Sequence, residues 1–185
     1  MKNIYLALLI ILIVSSCKPR YYSLSETDRS KFDIKPYSAK EKDLGKEQFY
    51  SITSNDIPLL KNNKENNLIV FFAAWCVPCR EKMPALLSSI RDKDINLSLI
   101  SADDFVRKPM YEKYINDLKY KGNIYFLDIK TYKSWNPHKN MRLFMEEAFP
   151  KVDNVKGYPT GILMKKDSVL YSGVIDSAFV KNFLK

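Results

Sequence analysis

Leu68-Ile69-Val70-Phe71-Phe72-Ala73-Ala74-Trp75-Cys76-Val77-Pro78-Cys79-Arg80 is the stretch on which the reading of this chain turns. The unbroken apolar run from Leu68 to Phe72 predicts a buried strand. Directly after the cysteines, Met83, Leu86, Leu87 and Ile90 recur at helical spacing and predict a helix with one buried face. Pro84 lies inside that helix and is expected to kink it. Two thiols therefore sit at a strand-to-helix junction, Cys76 nearest the helix start. Unpaired backbone N–H groups and the helix dipole favour a thiolate there. The two sulfurs are close enough to form a reversible disulfide.

Two plainer uses of the pair compete with redox chemistry. A structural zinc site needs four ligands. Outside the pair, the chain offers as cysteine or histidine only Cys17 and His138, so no metal is expected. A bridge closing so short a loop restricts the unfolded chain little. A working dithiol is the better reading.

The chain start sets the compartment. Met1-Lys2-Asn3 precedes an apolar run from Ile4 to Val14, which reads as a secretory signal. The run is shorter than the roughly 20 residues of a comfortable membrane span. Val14-Ser15-Ser16-Cys17 follows. It resembles a bacterial lipobox, which implies cleavage before Cys17 and lipidation of that residue. An ordinary signal peptide or an uncleaved anchor is the alternative. The expected organisation is a signal peptide over 1–16, a lipidated N-terminus and tether over 17–45, and a folded domain over 46–185. The tether rests on polar composition, as in Ser25-Glu26-Thr27-Asp28-Arg29-Ser30-Lys31. Acyl chains on Cys17 would hold the protein on a lipid bilayer.

The chain has 185 residues and a formal net charge of +9, of which residues 1–16 carry only Lys2. That basicity is spread among acids, without an aromatic or Gly-rich RNA-binding motif, so no nucleic-acid partner is expected. A solvated surface attracted to anionic headgroups fits better.

Beyond the dithiol, strands and helices alternate. Leu97–Ser101 and Ile124–Leu127 read as strands. Pro109 can start a helix with the stripe Tyr111, Tyr114, Ile115, Leu118, ended by Gly122. Met141, Phe144, Met145 and Ala148 mark another helix. Gly161–Met164 and Val169–Val174, joined through Lys165-Lys166-Asp167, read as a hairpin, and a last helix spans about 177–184. The class is α/β, with parallel crossovers early and an antiparallel hairpin late.

The residues Trp75-Cys76-Val77-Pro78-Cys79, Pro84, and Gly157-Tyr158-Pro159-Thr160 together resemble the thioredoxin superfamily, and most of all its membrane-tethered bacterial members. The resemblance covers about residues 45–185. It implies a thioredoxin-like fold: a central mixed β-sheet flanked by helices. Here an extra helical insert over 130–156 precedes the cis-proline loop. It implies that Cys76 is the nucleophile and Cys79 the resolving thiol. It also implies that Pro159 is cis, and that Trp75, Tyr158, Pro159 and Thr160 meet substrate. The redox-active disulfide Cys76–Cys79 is then the only redox group, and no separate cofactor is expected.

Direction is tuned by the neighbours. Val77 and Pro78 bring no charge to stabilise a thiolate, which leans the site toward a reductant, while Arg80 pulls modestly the other way. Two departures from the family stand out. Its buried strand aspartate is replaced by Val70, and its helix glutamate by Lys82, with Glu81 rotated about 100° around the helix. Glu81 is the candidate proton acceptor for the resolving thiol, with water the alternative. His138, in the insert, reads first as a lone surface histidine.

These features lead to a thiol–disulfide oxidoreductase of the cell envelope, lipid-anchored and periplasm-facing. Its expected partners are exported proteins carrying disulfides and a membrane or periplasmic thiol electron donor. An oxidase or isomerase of exported thiols, and a non-catalytic binding lipoprotein, are the alternatives.

Overall fold

A computed structural model describes residues 36–37, 49–61, 64–103, 105–134, 136–152 and 157–183. The expected signal peptide over 1–16, the lipidation site Cys17 and most of the expected tether lie outside these residues.

The elements in chain order are β1 (Phe49–Ile52), α1 (Ile57–Leu60), β2 (Asn66–Phe72), α2 (Val77–Ile90), β3 (Ile95–Ser101), α3 (Lys108–Asp117), β4 (Ile124–Leu127), α4 (Pro137–Ala148), β5 (Thr160–Lys165), β6 (Ser168–Val174) and α5 (Ser177–Phe183). The strands form one mixed sheet in the order β1-β4-β3-β2-β5-β6. β1, β4, β3 and β2 run parallel, and β5 and β6 join antiparallel to them. The fold is α/β, as expected.

The apolar run that opened the reading is continuous because β2 is covered on both faces. Successive side chains of a strand point to opposite sides. Leu68, Val70 and Phe72 enter one core, with Met83 and Leu86 of α2, Tyr111 and Ile115 of α3, and Phe179 of α5. Ile69 and Phe71 enter the other, with Ile57 and Leu60 of α1 and Met141, Phe144 and Met145 of α4. The expected insert helix is therefore a structural layer of the second core. It starts four residues before the apolar stripe, at Pro137, where Asn136 caps it.

Several expectations change. β1 and α1 were not anticipated. β1 is only a short strand and gains its partner from β4, far along the chain. Pro36 and Tyr37 were assigned to the tether but pack on β1: the Tyr37 N–H donates to the Ser51 carbonyl at 2.9 Å. The Tyr37 ring is buried edge-on against Tyr50 and Tyr125.

Helix α3 ends at Asp117, before Gly122. Lys119 takes the left-handed conformation with φ 52°. The N–H groups of Lys119 and Tyr120 return to the carbonyls of Asn116 and Ile115. That pairing satisfies the last carbonyls without a glycine. Lys166, also at φ 52°, turns the β5–β6 hairpin. Pro84 does not interrupt α2, which runs through it to Ile90.

Buried tyrosines make alkaline stability a test of this packing. Burial pushes the Tyr114 and Tyr132 hydroxyls up to about 12 from the ordinary 10.0. Their neutral form is favoured in the folded state, so this contribution is fully present below pH 10. Above it the unfolded chain binds fewer protons than the folded one, and stability falls until the folded groups ionise near pH 12. Urea unfolding followed from pH 8 to 12 is expected to show that decline, with tyrosinate absorbance rising alongside unfolding. Near-complete tyrosinate absorbance from a still-folded protein near pH 11 would contradict it.

Candidate dithiol site

Register assembles the site. β2 and β3 are parallel and in step, Phe72 opposite Ser101. The Ala102 N–H extends the ladder by donating to the Phe72 carbonyl at 3.0 Å. The turn carrying Ala73 to Cys76 therefore lies beside Ala102 and Asp103, at the carboxyl ends of the central strands. On the other side β5 is antiparallel to β2, with Thr160 opposite Phe71. That pairing brings the residues just before Thr160 to the same end of the sheet. Tyr158-Pro159 is a cis peptide bond, as the resemblance implied.

Cys76 occupies the cap position of α2, with Val77 and Pro78 in the first turn. Cys76 and Cys79 are joined as a disulfide. The Cys79 N–H points at Cys76 Sγ from 3.2 Å. A donor aimed at that sulfur stabilises it as a thiolate once the bond is reduced. The Tyr158 carbonyl oxygen stands 3.6 Å from the same Sγ and favours the protonated thiol instead. Of the pair, Cys76 reaches the surface at 6% exposure while Cys79 has 0%.

The other residues singled out from the sequence fall in different places. Trp75, at 42% exposure, stands next to Cys76 with Val77 and Pro78, all on the open surface. Arg80 turns back, its Nε donating to the Ala74 carbonyl at 2.7 Å. Pro159 is buried. Thr160 is buried too, and its hydroxyl donates to the Gly157 carbonyl at 2.6 Å, so it braces the loop from within. Glu81 is exposed on α2 and Val70 is fully buried. Cys17 lies outside the described residues. No cluster of His, Cys, Asp or Glu able to hold a metal occurs among the described residues.

The sequence reading missed Asp103 and Tyr111. Asp103 is buried, and its carboxylate accepts from Trp75 Nε1 at 2.8 Å and from the Tyr111 hydroxyl at 2.7 Å. Arg107 Nε is 3.6 Å from Oδ1. Tyr111 in turn accepts from the Ala74 N–H at 3.2 Å and from the Ser101 hydroxyl at 2.6 Å. Burial first, and the Asp103 charge second, hold the Tyr111 hydroxyl well above its ordinary pKa, so it remains a donor. This network ties the turn before the dithiol to the end of β3 and fixes the indole of Trp75. A signal was present: Asp103 is an acid two residues beyond a strand, at the sheet edge where α/β sites form.

A cysteine pair after the central parallel strand, capping the next helix, with a cis-proline loop on the adjoining antiparallel strand, defines a thioredoxin-like α/β domain. No family model and no curated protein matches the chain. Among solved structures it is similar to the thioredoxin domain of a thiol-disulfide oxidoreductase from Bacteroides vulgatus. The TM-score is 0.47 at 22% identity, covering 66% of this chain and 81% of that one. It is also similar to StoA from Bacillus subtilis, with TM-score 0.40, 19% identity and coverage of 60% and 75%. A putative thiol:disulfide interchange protein DsbE from Chlorobium tepidum gives 0.44, 21%, 64% and 74%. Among the described residues, no helix is long and apolar enough to cross a membrane.

Proposed function

We propose that this protein is a thiol–disulfide oxidoreductase that reduces or exchanges disulfides of exported proteins, held at the envelope through a lipidated Cys17 and facing the periplasm. The observation that carries the activity is the bridged pair at the head of α2, with the Cys79 N–H on Cys76 Sγ and only Cys76 reaching the surface.

In the reduced protein the Cys76 thiolate attacks one sulfur of a substrate disulfide. The substrate S–S bond breaks, a mixed disulfide forms, and the departing thiolate takes a proton. Cys79, deprotonated, then attacks Cys76 Sγ. The mixed disulfide breaks, the second substrate thiol leaves, and Cys76–Cys79 is re-formed. Two electrons have passed from the enzyme dithiol to the substrate. An external dithiol, the proposed envelope electron donor, returns them by the same exchange.

Direction follows from charge. Val77 and Pro78 add none, and Arg80, held to the Ala74 carbonyl beside the turn, pulls only modestly toward the thiolate. Equilibration against dithiothreitol is expected to give a reduction potential nearer to about −270 mV than to about −120 mV. A value near the upper figure would make the protein an oxidant of exported thiols. A pair that does not cycle at all would favour a binding module instead. Mass spectrometry of the mature N-terminus tests the anchor, and an unmodified Cys17 would remove it.

A further inference from the structure

The insert helix meets the residue before the cis-proline at His138. The His138 ring stacks on the Tyr158 ring, centroids 5.5 Å apart and planes 19° from parallel. Tyr158 is the residue whose carbonyl stands beside Cys76 Sγ. Its ring packs against both cores. Its hydroxyl is buried, with no hydrogen-bond partner among the described residues. The inner end of Tyr158 therefore has no polar anchor, and His138 covers the ring with an aromatic contact.

The support behind His138 is firm. It lies in the first turn of α4, where the Asn136 side chain accepts from the His138 N–H at 2.9 Å. Asn140 in the same helix exchanges two bonds with the Ser134 backbone, at 2.8 and 2.9 Å. Farther along, Glu147 accepts from the hydroxyls of Ser54 and Tyr132, both at 2.8 Å. Met141, Phe144 and Met145 are buried below. The helix is thus fastened to the sheet, and its exposed imidazole lies on the cis-proline loop at Tyr158.

We infer that His138 is a positioning residue of the dithiol site: its stack on Tyr158 holds the carbonyl beside Cys76 and selects extended polypeptide disulfides over small ones. The inference rests on the oxidoreductase reading given above. An extended substrate segment needs a backbone acceptor fixed in place to pair with, as in strand addition. A small aromatic disulfide needs only access to Cys76 Sγ. Ordering Tyr158 in advance lowers the cost of docking the first and does little for the second.

The test compares two disulfides as oxidants of the pre-reduced protein, freed of dithiothreitol, in single turnovers: a two-cysteine oxidised peptide of extended sequence, and dithiobisnitrobenzoate. In His138→Ala the ratio of peptide to small-disulfide second-order rate constants is expected to fall about fivefold, the size of a lost aromatic pair. The change should appear mainly as a lower rate constant for the peptide. His138→Phe keeps a stacking ring and is expected to restore the ratio. An unchanged ratio in His138→Ala overturns the inference while leaving the oxidoreductase reading in place. So does a His138→Phe protein that behaves like His138→Ala. A parent protein that is oxidised by neither disulfide overturns the oxidoreductase reading, and this inference with it.

Discussion

Cys76→Ser is expected to abolish disulfide turnover, and Cys79→Ser to halt it half-way. Without the Cys76 thiolate no mixed disulfide forms. Cys79 cannot stand in, because it has 0% exposure beneath Cys76 and a nucleophile must touch the sulfur it attacks. Without Cys79 the first step still proceeds, but nothing inside the protein releases the product. Cys79→Ser should therefore accumulate as a covalent adduct with a peptide disulfide, visible by non-reducing electrophoresis and reversed by dithiothreitol. Activity surviving in Cys76→Ser would remove the proposed mechanism. Adducts forming on Cys79 in that variant would reverse the order of attack.

Asp103→Ala is expected to cost about 2–3 kcal/mol of stability, chiefly because the buried Tyr111 hydroxyl loses its charged acceptor and keeps only Ser101 and the Ala74 N–H as partners. For a domain of this size that is a fall in Tm of about 5–10 °C. Trp75 Nε1 also loses its acceptor, but the ring is partly exposed and water can replace it. The result for that side chain is mobility. Turnover of a peptide disulfide is then expected to fall in Asp103→Ala even well below its Tm. Tyr111→Phe removes one hydroxyl and leaves the Asp103–Trp75 bond intact. It should be destabilised while keeping more of the peptide turnover. Equal stability of parent and Asp103→Ala would mean that the carboxylate contributes nothing net to the network.

Much of the α/β pattern was legible because it is written in local periodicity. Both faces of β2 are covered, which leaves a continuous apolar run, and the helices carry one buried stripe each. The cis bond at Pro159 was reached by resemblance, since the local residues alone suggest a turn. Elements defined by distant partners were not legible. β1 is a short strand that exists through its pairing with β4. Tyr37 is core only because two other tyrosines meet it. The ends of α3 and of the β5–β6 hairpin used left-handed lysines, where sequence reasoning looks for glycine.

For the site, adjacency along the chain sufficed for Cys76, Cys79 and Trp75, and for their place at a strand-to-helix junction. Which other side chains meet them depends on sheet register. In-step pairing of β2 with β3 puts Asp103 and Tyr111 behind Trp75. Antiparallel pairing of β2 with β5 sets the Tyr158 carbonyl against Cys76. The docking of α4 lays His138 on Tyr158. Local patterns specify which faces are buried, because burial follows a period of two or of 3.6 residues. The partners of a buried polar group come from strand order and register, which only the folded sheet decides.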